Sequence, residues 1–358
     1  MIPSNDHDSS PEISKTISEN VILVFGATGQ QGGAVASALR ADGWSVRALV
    51  RDLAAPKARD ITSLNIEVVQ GDFEDEASIR SAMTGVYGVF SVQPSSGQGA
   101  AYGVSDEDEI RYGTMIADIA ALVGVSHLVY TSVNAAGPEK TGMGHFDSKS
   151  EIEAHIRSLD IPSTIIRPAG FMELLMLPGL GLDQDAYVSF LRPTQIGQVI
   201  AVRDIGKIVA GIFSNPCRFA GRTIEIAGDE LTGESLQRSL SRAAGRPIGY
   251  SRFPDPVLEE NEFLRRLTEL FDDGRLAGHA DIGDLRAEFG HLLSFDEWLD
   301  GPGRPLFRSG AKRHELSNRS EVKHHASDRY PLTLTWPQRC PVVDNCLVND
   351  WKIAECRE

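Results

Sequence analysis

Cysteine is scarce in this chain, with four among 358 residues, too few for the disulfide framework of a small secreted domain. Cys217, Cys340, Cys346 and Cys356 also lack the paired short spacing of a zinc site, so they read as reduced thiols without a metal. No apolar run approaches the roughly 20 residues of a membrane helix, and the opening MIPSNDHDSSPEISKTISEN lacks a basic region followed by an apolar stretch. Positive charge is in deficit too. Against 50 Asp and Glu there are 35 Lys and Arg, a formal net charge of -15, which repels nucleic-acid phosphates and anionic lipid alike. The expectation is a soluble cytoplasmic protein, with the nucleus left open as a second location, that binds neither membrane nor nucleic acid directly and exists as a monomer or homodimer.

What is present is enough chain for one large α/β domain with a smaller lobe. Residues 1–20 are polar and without apolar periodicity, and read as a flexible leader. From Val21 short apolar runs rich in β-branched residues alternate with amphipathic stretches, the pattern of repeated β-α units. Strands are predicted at 21–25, 45–50, 66–69, 86–92, 128–132 and 163–167, with helices at 31–41, 76–83, 106–123 and 148–159. Right-handed crossovers wind such an order into a Rossmann-type doubly wound parallel sheet, here residues 21–167. A smaller carboxyl-terminal α/β lobe is expected over residues 168–300, with some segments returning to the core. Its predicted elements are helices at 202–214, 233–244, 255–271 and 281–289 and a strand at 223–227. Residues 301–358 have no clear period and read as a poorly structured tail or a partner-binding arm.

The stretch VILVFGATGQQGG places glycines at positions one, four and seven, directly after an apolar strand and before an amphipathic helix. That context makes the turn Gly26-Ala27-Thr28-Gly29-Gln30-Gln31-Gly32 a dinucleotide fingerprint. Gly26 permits the tight turn, Gly29 admits the pyrophosphate close to the backbone, and Gly32 lets helix and strand pack; the helix amides meet the phosphate charge. The second strand ends in Arg51 and Asp52. An arginine there pairs with a 2'-phosphate, which favours NADP, whereas an acid binds the ribose hydroxyls of NAD. After the third strand, Asp72 and Phe73 suit the adenine amino group and ring, although Asp72 or Asp75 would equally serve as a helix cap.

The motifs GATGQQGG, VVQGDFED, LVYTSV and HFDSKSEIEAHIRSLDIPSTIIRPAGFMELL together resemble the NmrA-like branch of atypical short-chain dehydrogenases/reductases, over residues 21–298. The resemblance implies NADP in an extended Rossmann domain beside a small lobe, with contacts from Gly26 through Gly32, Arg51, Asp72 and Phe73. It also implies that Ser91, Val92 and Gln93 line the nicotinamide half, that Arg111 stands where some relatives carry a cofactor-contacting lysine, and that Lys149 bonds the nicotinamide ribose. Phe171, Met172, Glu173 and Leu174 match the segment that closes over the nicotinamide, Leu174 replacing a frequent asparagine.

Ordinary short-chain reductases pair a tyrosine proton donor with a lysine four residues on. Here that spacing is His145 to Lys149, one helical face. His145 is either the proton donor in place of tyrosine or a satisfied polar residue at a helix start. Ser132 falls where related enzymes orient the substrate, while strand alternation turns Tyr130 elsewhere. Two functions stay open: an NADPH-dependent reductase of a small carbonyl, enoyl or quinone-like substrate, or a catalytically idle redox sensor whose NADP(H) state governs binding of a regulatory protein partner.

Overall fold

The computed structural model describes residues 20–98 and 103–311. In its first half β1 (Val21–Val24), α1 (Gln30–Ala41), β2 (Ser45–Val50), α2 (Pro56–Ser63), β3 (Glu67–Gln70) and α3 (Glu76–Met83) alternate strictly. They are followed by β4 (Gly88–Ser91), α4 (Asp106–Val123), β5 (His127–Thr131), α5 (Gly144–Ser158) and β6 (Ser163–Pro168). The second half runs through β7 (Gly170–Phe171), a 3-10 turn at Met172–Met176, β8 (Ala186–Ser189), β9 (Gly197–Ile200), α6 (Val202–Ser214), α7 (Pro216–Phe219) and β10 (Thr223–Ile226). It ends with β11 (Asp229–Leu231), α8 (Gly233–Ala244), β12 (Gly249–Arg252), α9 (Asp255–Glu260), α10 (Glu262–Asp272), α11 (Ile282–Phe289), α12 (Phe295–Asp300) and α13 (Arg304–Gly310).

Seven strands form one sheet in the order β10-β6-β5-β4-β1-β2-β3, parallel throughout. This is the Rossmann-type doubly wound order. The chain progresses outward from β1 to β3, then returns to β4 on the other flank of β1, so the crevice at the carboxyl ends of β1 and β4 is the topological switch point. Every residue of β4 and β5 is buried, as expected of central strands covered on both faces. On one face Val24, Phe90 and Val129 pack against Val35 and Leu39 of α1 and Ile205, Val209 and Phe213 of α6. On the other, Leu23, Phe25 and Leu128 meet Ile116 and Ala120 of α4 and Ile152 and Ile156 of α5.

The local signals that start and stop α4 are plain in its geometry. The Ser105 hydroxyl accepts from the Asp108 amide while the Asp108 side chain returns to the Ser105 backbone, and Gly124 ends the helix at φ 75°. Such a cap contributes about 1 kcal/mol. The smaller lobe has its own core, in which Trp298, Tyr187, Phe295, Leu236 and Leu240 are buried, and two short sheets, β11-β9-β7 and β12-β8.

Four expectations need correction. The strand expected in the lobe at 223–227 is β10, which hydrogen-bonds to β6 and completes the main sheet, and the helix α6 before it lies on the core with α1, so these are segments that return to the core. The single helix expected at 255–271 is two, because the Asn261 side chain leaves the helix to accept from the Leu264 amide and caps α10 instead. The helix predicted from residue 148 already begins at Gly144. Finally, the tail does not begin at 301: α13 buries Phe307, only 4% exposed, in the lobe core. The leader at residues 1–19 and the tail at residues 312–358 lie outside the described residues.

Candidate active site

The glycine turn sits at the switch point. Gly26 holds φ 64°, and the amide of Gly29 donates to the Gly26 carbonyl at 2.8 Å, closing the turn. A Cβ on Gly32 would lie 2.6 Å from the Phe25 carbonyl oxygen and closer still to the Gly26 carbonyl, so only glycine lets α1 approach β1 this tightly. Gly29 caps α1 with no side-chain hydrogen bond. The first-turn amides, which a helix cannot satisfy internally, are thereby left to an external acceptor. The tips of neighbouring strands reach the same place: Val92, just past β4, stands 2.8 Å from where a Cβ on Gly26 would lie, and the Thr131 hydroxyl at the end of β5 donates to Gln31 Oε1 at 2.8 Å. Ser91 and Gln93 are both buried and bonded to each other, Gln93 Nε2 donating to Ser91 Oγ at 2.6 Å.

Arg51 is exposed at the end of β2, and its guanidinium has no ion-pair partner among the described residues. The Asp52 carboxylate beside it accepts from the Ala54 amide at 2.8 Å. Asp75, not Asp72, caps α3, accepting from Ala77 and Ser78. Among the described residues Asp72 Oδ1 accepts from the Glu74 amide alone, and the Phe73 ring packs against Phe25 and Tyr112. Arg111 is spoken for: it bridges Glu74 at 2.8 Å and Asp108 at 2.9 Å and lies over the Tyr112 ring.

Lys149 lies one turn after His145 on α5, and its ammonium has three acceptors. These are Glu109 Oε1 at 2.5 Å, the His145 carbonyl at 2.9 Å and Ser95 Oγ at 3.2 Å. Glu109 comes from α4 and is 1% exposed; its second oxygen accepts from Ser95 Oγ at 2.7 Å and Ser148 Oγ at 3.0 Å. None of Glu109, Ser95 and Ser148 was among the residues expected from sequence. The signal existed, because Glu109 shares the spacing of the buried residues Tyr112, Gly113, Ile116 and Ala120, an acid on the apolar stripe of α4.

Three of the expected site residues, His145 and Ser132 among the catalytic candidates and Glu173 in the segment matched to the nicotinamide, pack into their surroundings. The His145 ring packs between Phe146, at 4.0 Å, and Phe263 of α10, at 5.6 Å, with Gly97 against its edge. Burial, reinforced by the Lys149 charge, lowers its pKa to about 4. At neutral pH the imidazole is therefore uncharged, packed between the two rings. Ser132 is buried beside the Glu153 carboxylate. Burial works to raise the Glu153 pKa, but Arg167, with Arg157, outweighs it and holds the carboxyl below its ordinary value, while the buried Ser132 hydroxyl has no hydrogen-bond partner among the described residues. Glu173 is likewise committed, accepting from the Val202 amide at the start of α6 and from Trp298 Nε1, each at 3.2 Å, with burial pushing its pKa up. Met172 is buried in the lobe core, while Phe171 and Leu174 are half-buried. Tyr130 is fully buried, its hydroxyl driven well above the ordinary tyrosine range by burial and by Glu109 and Glu153.

The family model of the NmrA-like family matches residues 18–282, and the chain belongs to this family. It is 27% identical over 282 residues to the NmrA-like family domain-containing oxidoreductase hkm9 of Aspergillus hancockii, covering 70% of this chain and 82% of that one. An NAD(P)H azoreductase of Xenophilus azovorans is 28% identical over 234 residues, covering 64% of this chain and 76% of its own. Among solved structures, NmrA, a negative transcriptional regulator in complex with NADP, superposes with a TM-score of 0.66 at 20% identity, over 82% of this chain and 98% of that one. The relatives by sequence are thus named oxidoreductases, and the solved neighbour shares the fold.

Proposed function

We propose that this protein is an NADP(H)-dependent oxidoreductase of a small carbonyl, enoyl or quinone-like acceptor. The observation that carries the proposal is the glycine turn at the switch point, whose uncapped helix amides and tightly packed Gly32 form a cradle fitted to a pyrophosphate. The azoreductase relative, which uses NAD(P)H, and the NADP complex of NmrA point to the same ligand. Arg51, exposed and without an ion-pair partner among the described residues, takes the 2'-phosphate, which selects NADP over NAD. Asp72 and Phe73 face the adenine, Ser91, Val92 and Gln93 line the nicotinamide half with the backbone of residues 171–174, and Lys149 holds the nicotinamide ribose.

When bound, NADPH supplies a hydride to an electron-poor acceptor. The protein's share is positioning: the glycine turn and Lys149 fix one reactant, and His145 with Phe263 shapes the wall on the lobe side. Because His145 is neutral and Tyr130 is sealed in the core, the accompanying proton comes from water. Acceptors whose reduced form needs little help with protonation, quinones above all, suit such a site. The test is NADPH oxidation by the purified full chain against quinones, azo compounds and conjugated carbonyls. Turnover with an acceptor in the panel, lost in Lys149→Ala, supports the proposal.

The lack of a ready proton donor also favours a second function, an NADP(H)-sensing regulator that binds a partner protein, as the NmrA neighbour's regulatory role suggests. No turnover across the panel, with a partner held in only one cofactor state, would establish that function instead.

A further inference from the structure

We infer that Glu109 is the positioning residue for Lys149, and that Ser95 holds the place on the ammonium that the nicotinamide ribose takes. This rests on the assignment of Lys149 to that ribose. A lysine carries its charge on a flexible four-carbon stem and has no preferred seat unless something fixes it. Here the seat is built from another helix. Glu109 projects from α4, 40 residues earlier in the chain, and its Oε1 meets Lys149 Nζ at 2.5 Å. The Lys149 side chain is 18% exposed and that of Glu109 2%, so water screens the pair little.

Glu109 is itself held. Ser148 Oγ, adjacent to Lys149 on α5, donates to Oε2 at 3.0 Å, and Ser95 Oγ donates to the same oxygen at 2.7 Å. A buried carboxylate with donors on both oxygens has its orientation set before any ligand arrives. Lys149 Nζ then has three donors and three acceptors: the Glu109 carboxylate, the His145 carbonyl on its own helix, and Ser95 Oγ. A ribose hydroxyl gains a bond from this ammonium only by replacing one of them. The carboxylate is charged and the carbonyl is fixed by α5, whereas Ser95 Oγ is neutral, the most distant at 3.2 Å, and belongs to the loop after β4. Ser95 also keeps its bond to Glu109 when it yields Lys149, so the exchange leaves no buried group unpaired.

The test separates the two halves of the cofactor. Calorimetric titration of the full chain uses NADPH and adenosine 2',5'-bisphosphate, which keeps the adenine and 2'-phosphate but has no nicotinamide ribose. Glu109→Gln should weaken NADPH roughly 10- to 100-fold, the worth of a hydrogen bond to a charged group, and leave the bisphosphate unchanged. In Lys149→Ala the same change at Glu109 should weaken NADPH no further. Ser95→Ala removes a competitor for the ammonium as well as a donor to Glu109, so it should weaken NADPH less than Ser148→Ala does, under about fivefold. Should Glu109→Gln not fold, Ser148→Ala reports on the same seat, with a loss of roughly fivefold for NADPH alone. Equal losses for both ligands would show a merely structural role and overturn the inference, as would unchanged NADPH binding in Glu109→Gln. A loss in Ser95→Ala as large as that in Ser148→Ala, or larger, would overturn the exchange. If Lys149→Ala binds NADPH normally, the assignment of Lys149 to the ribose fails instead, whatever Glu109 does.

Discussion

Replacing Gly32 by alanine probes the glycine turn before any ligand is added. The new Cβ would stand 2.6 Å from the Phe25 carbonyl oxygen and closer to the Gly26 carbonyl, where ordinary contact begins at 3.4 Å. Both neighbours are backbone, so neither can rotate aside and α1 must separate from β1. Overpacking of this kind costs roughly 1–3 kcal/mol, and the better helix propensity of alanine returns at most about 1 kcal/mol. The net loss, about 1–2 kcal/mol, corresponds to a fall in melting temperature of several degrees for a chain of this size. Gly33 is the control. Its Cβ would meet only the Ala27 carbonyl, at 3.2 Å, a strain that a few tenths of an ångström relieve. Gly33→Ala should therefore be neutral or slightly stabilising. Thermal and denaturant unfolding of the ligand-free full chain, followed by NADPH titration, reads out both variants. Gly32→Ala should melt lower and bind NADPH at least about tenfold more weakly, because the displaced helix carries the phosphate amides. If Gly32→Ala is as stable as the unaltered chain and binds normally, the packing argument is wrong.

Acid should weaken the fold through its buried histidines. His127 and His145 both have their pKa lowered by burial from 6.5 to about 4. Stability from a lowered histidine pKa is complete above the unfolded value and is lost as pH falls towards the folded one, about 3 kcal/mol in order of magnitude for the fully buried His127. The urea midpoint should therefore drop between pH 6.5 and 4, and a flat profile across that window would contradict it. Ending the chain after Ala311 should leave the melting temperature unchanged, whereas ending it after Gly301 removes buried Phe307 and should cost about 3–5 kcal/mol by denaturant unfolding. Since His145 is uncharged at neutral pH, His145→Ala should lower turnover less than about tenfold, well short of the 10² to 10⁴ of a lost general acid; a larger fall with unchanged cofactor affinity would restore it as the donor.

Signals confined to a few neighbouring residues were legible in the sequence. The glycine turn needs only a strand before it and a helix after, and the bounds of α3, α4, α6 and α8 follow from apolar spacing and caps such as Ser105, Thr232 and Gly124. What depended on distant partners was not. Residues 223–227 read as a strand, but their place beside β6 is a register choice that no local pattern encodes. The Lys149–Glu109 pair joins residues 40 apart, and the commitments of Glu153 to Arg167 and of Glu173 to Trp298 are likewise tertiary. The spacing of His145 to Lys149 puts the two one helical turn apart, yet the charge state of His145 is set by burial among Phe146 and Phe263 and by the Lys149 charge. Spacing fixes where a group sits on its helix; surroundings fix what it can do.

The central claim is that the turn from Gly26 to Gly32 together with Arg51 binds NADP(H). Calorimetric titration of the full chain with NADPH and NADH, repeated in Arg51→Ala, tests it most directly. The account predicts tighter binding of NADPH, and in Arg51→Ala a loss of roughly 10- to 100-fold for NADPH with NADH unchanged. Equal affinities in the unaltered chain, or a preference for NADPH that survives Arg51→Ala, would contradict it.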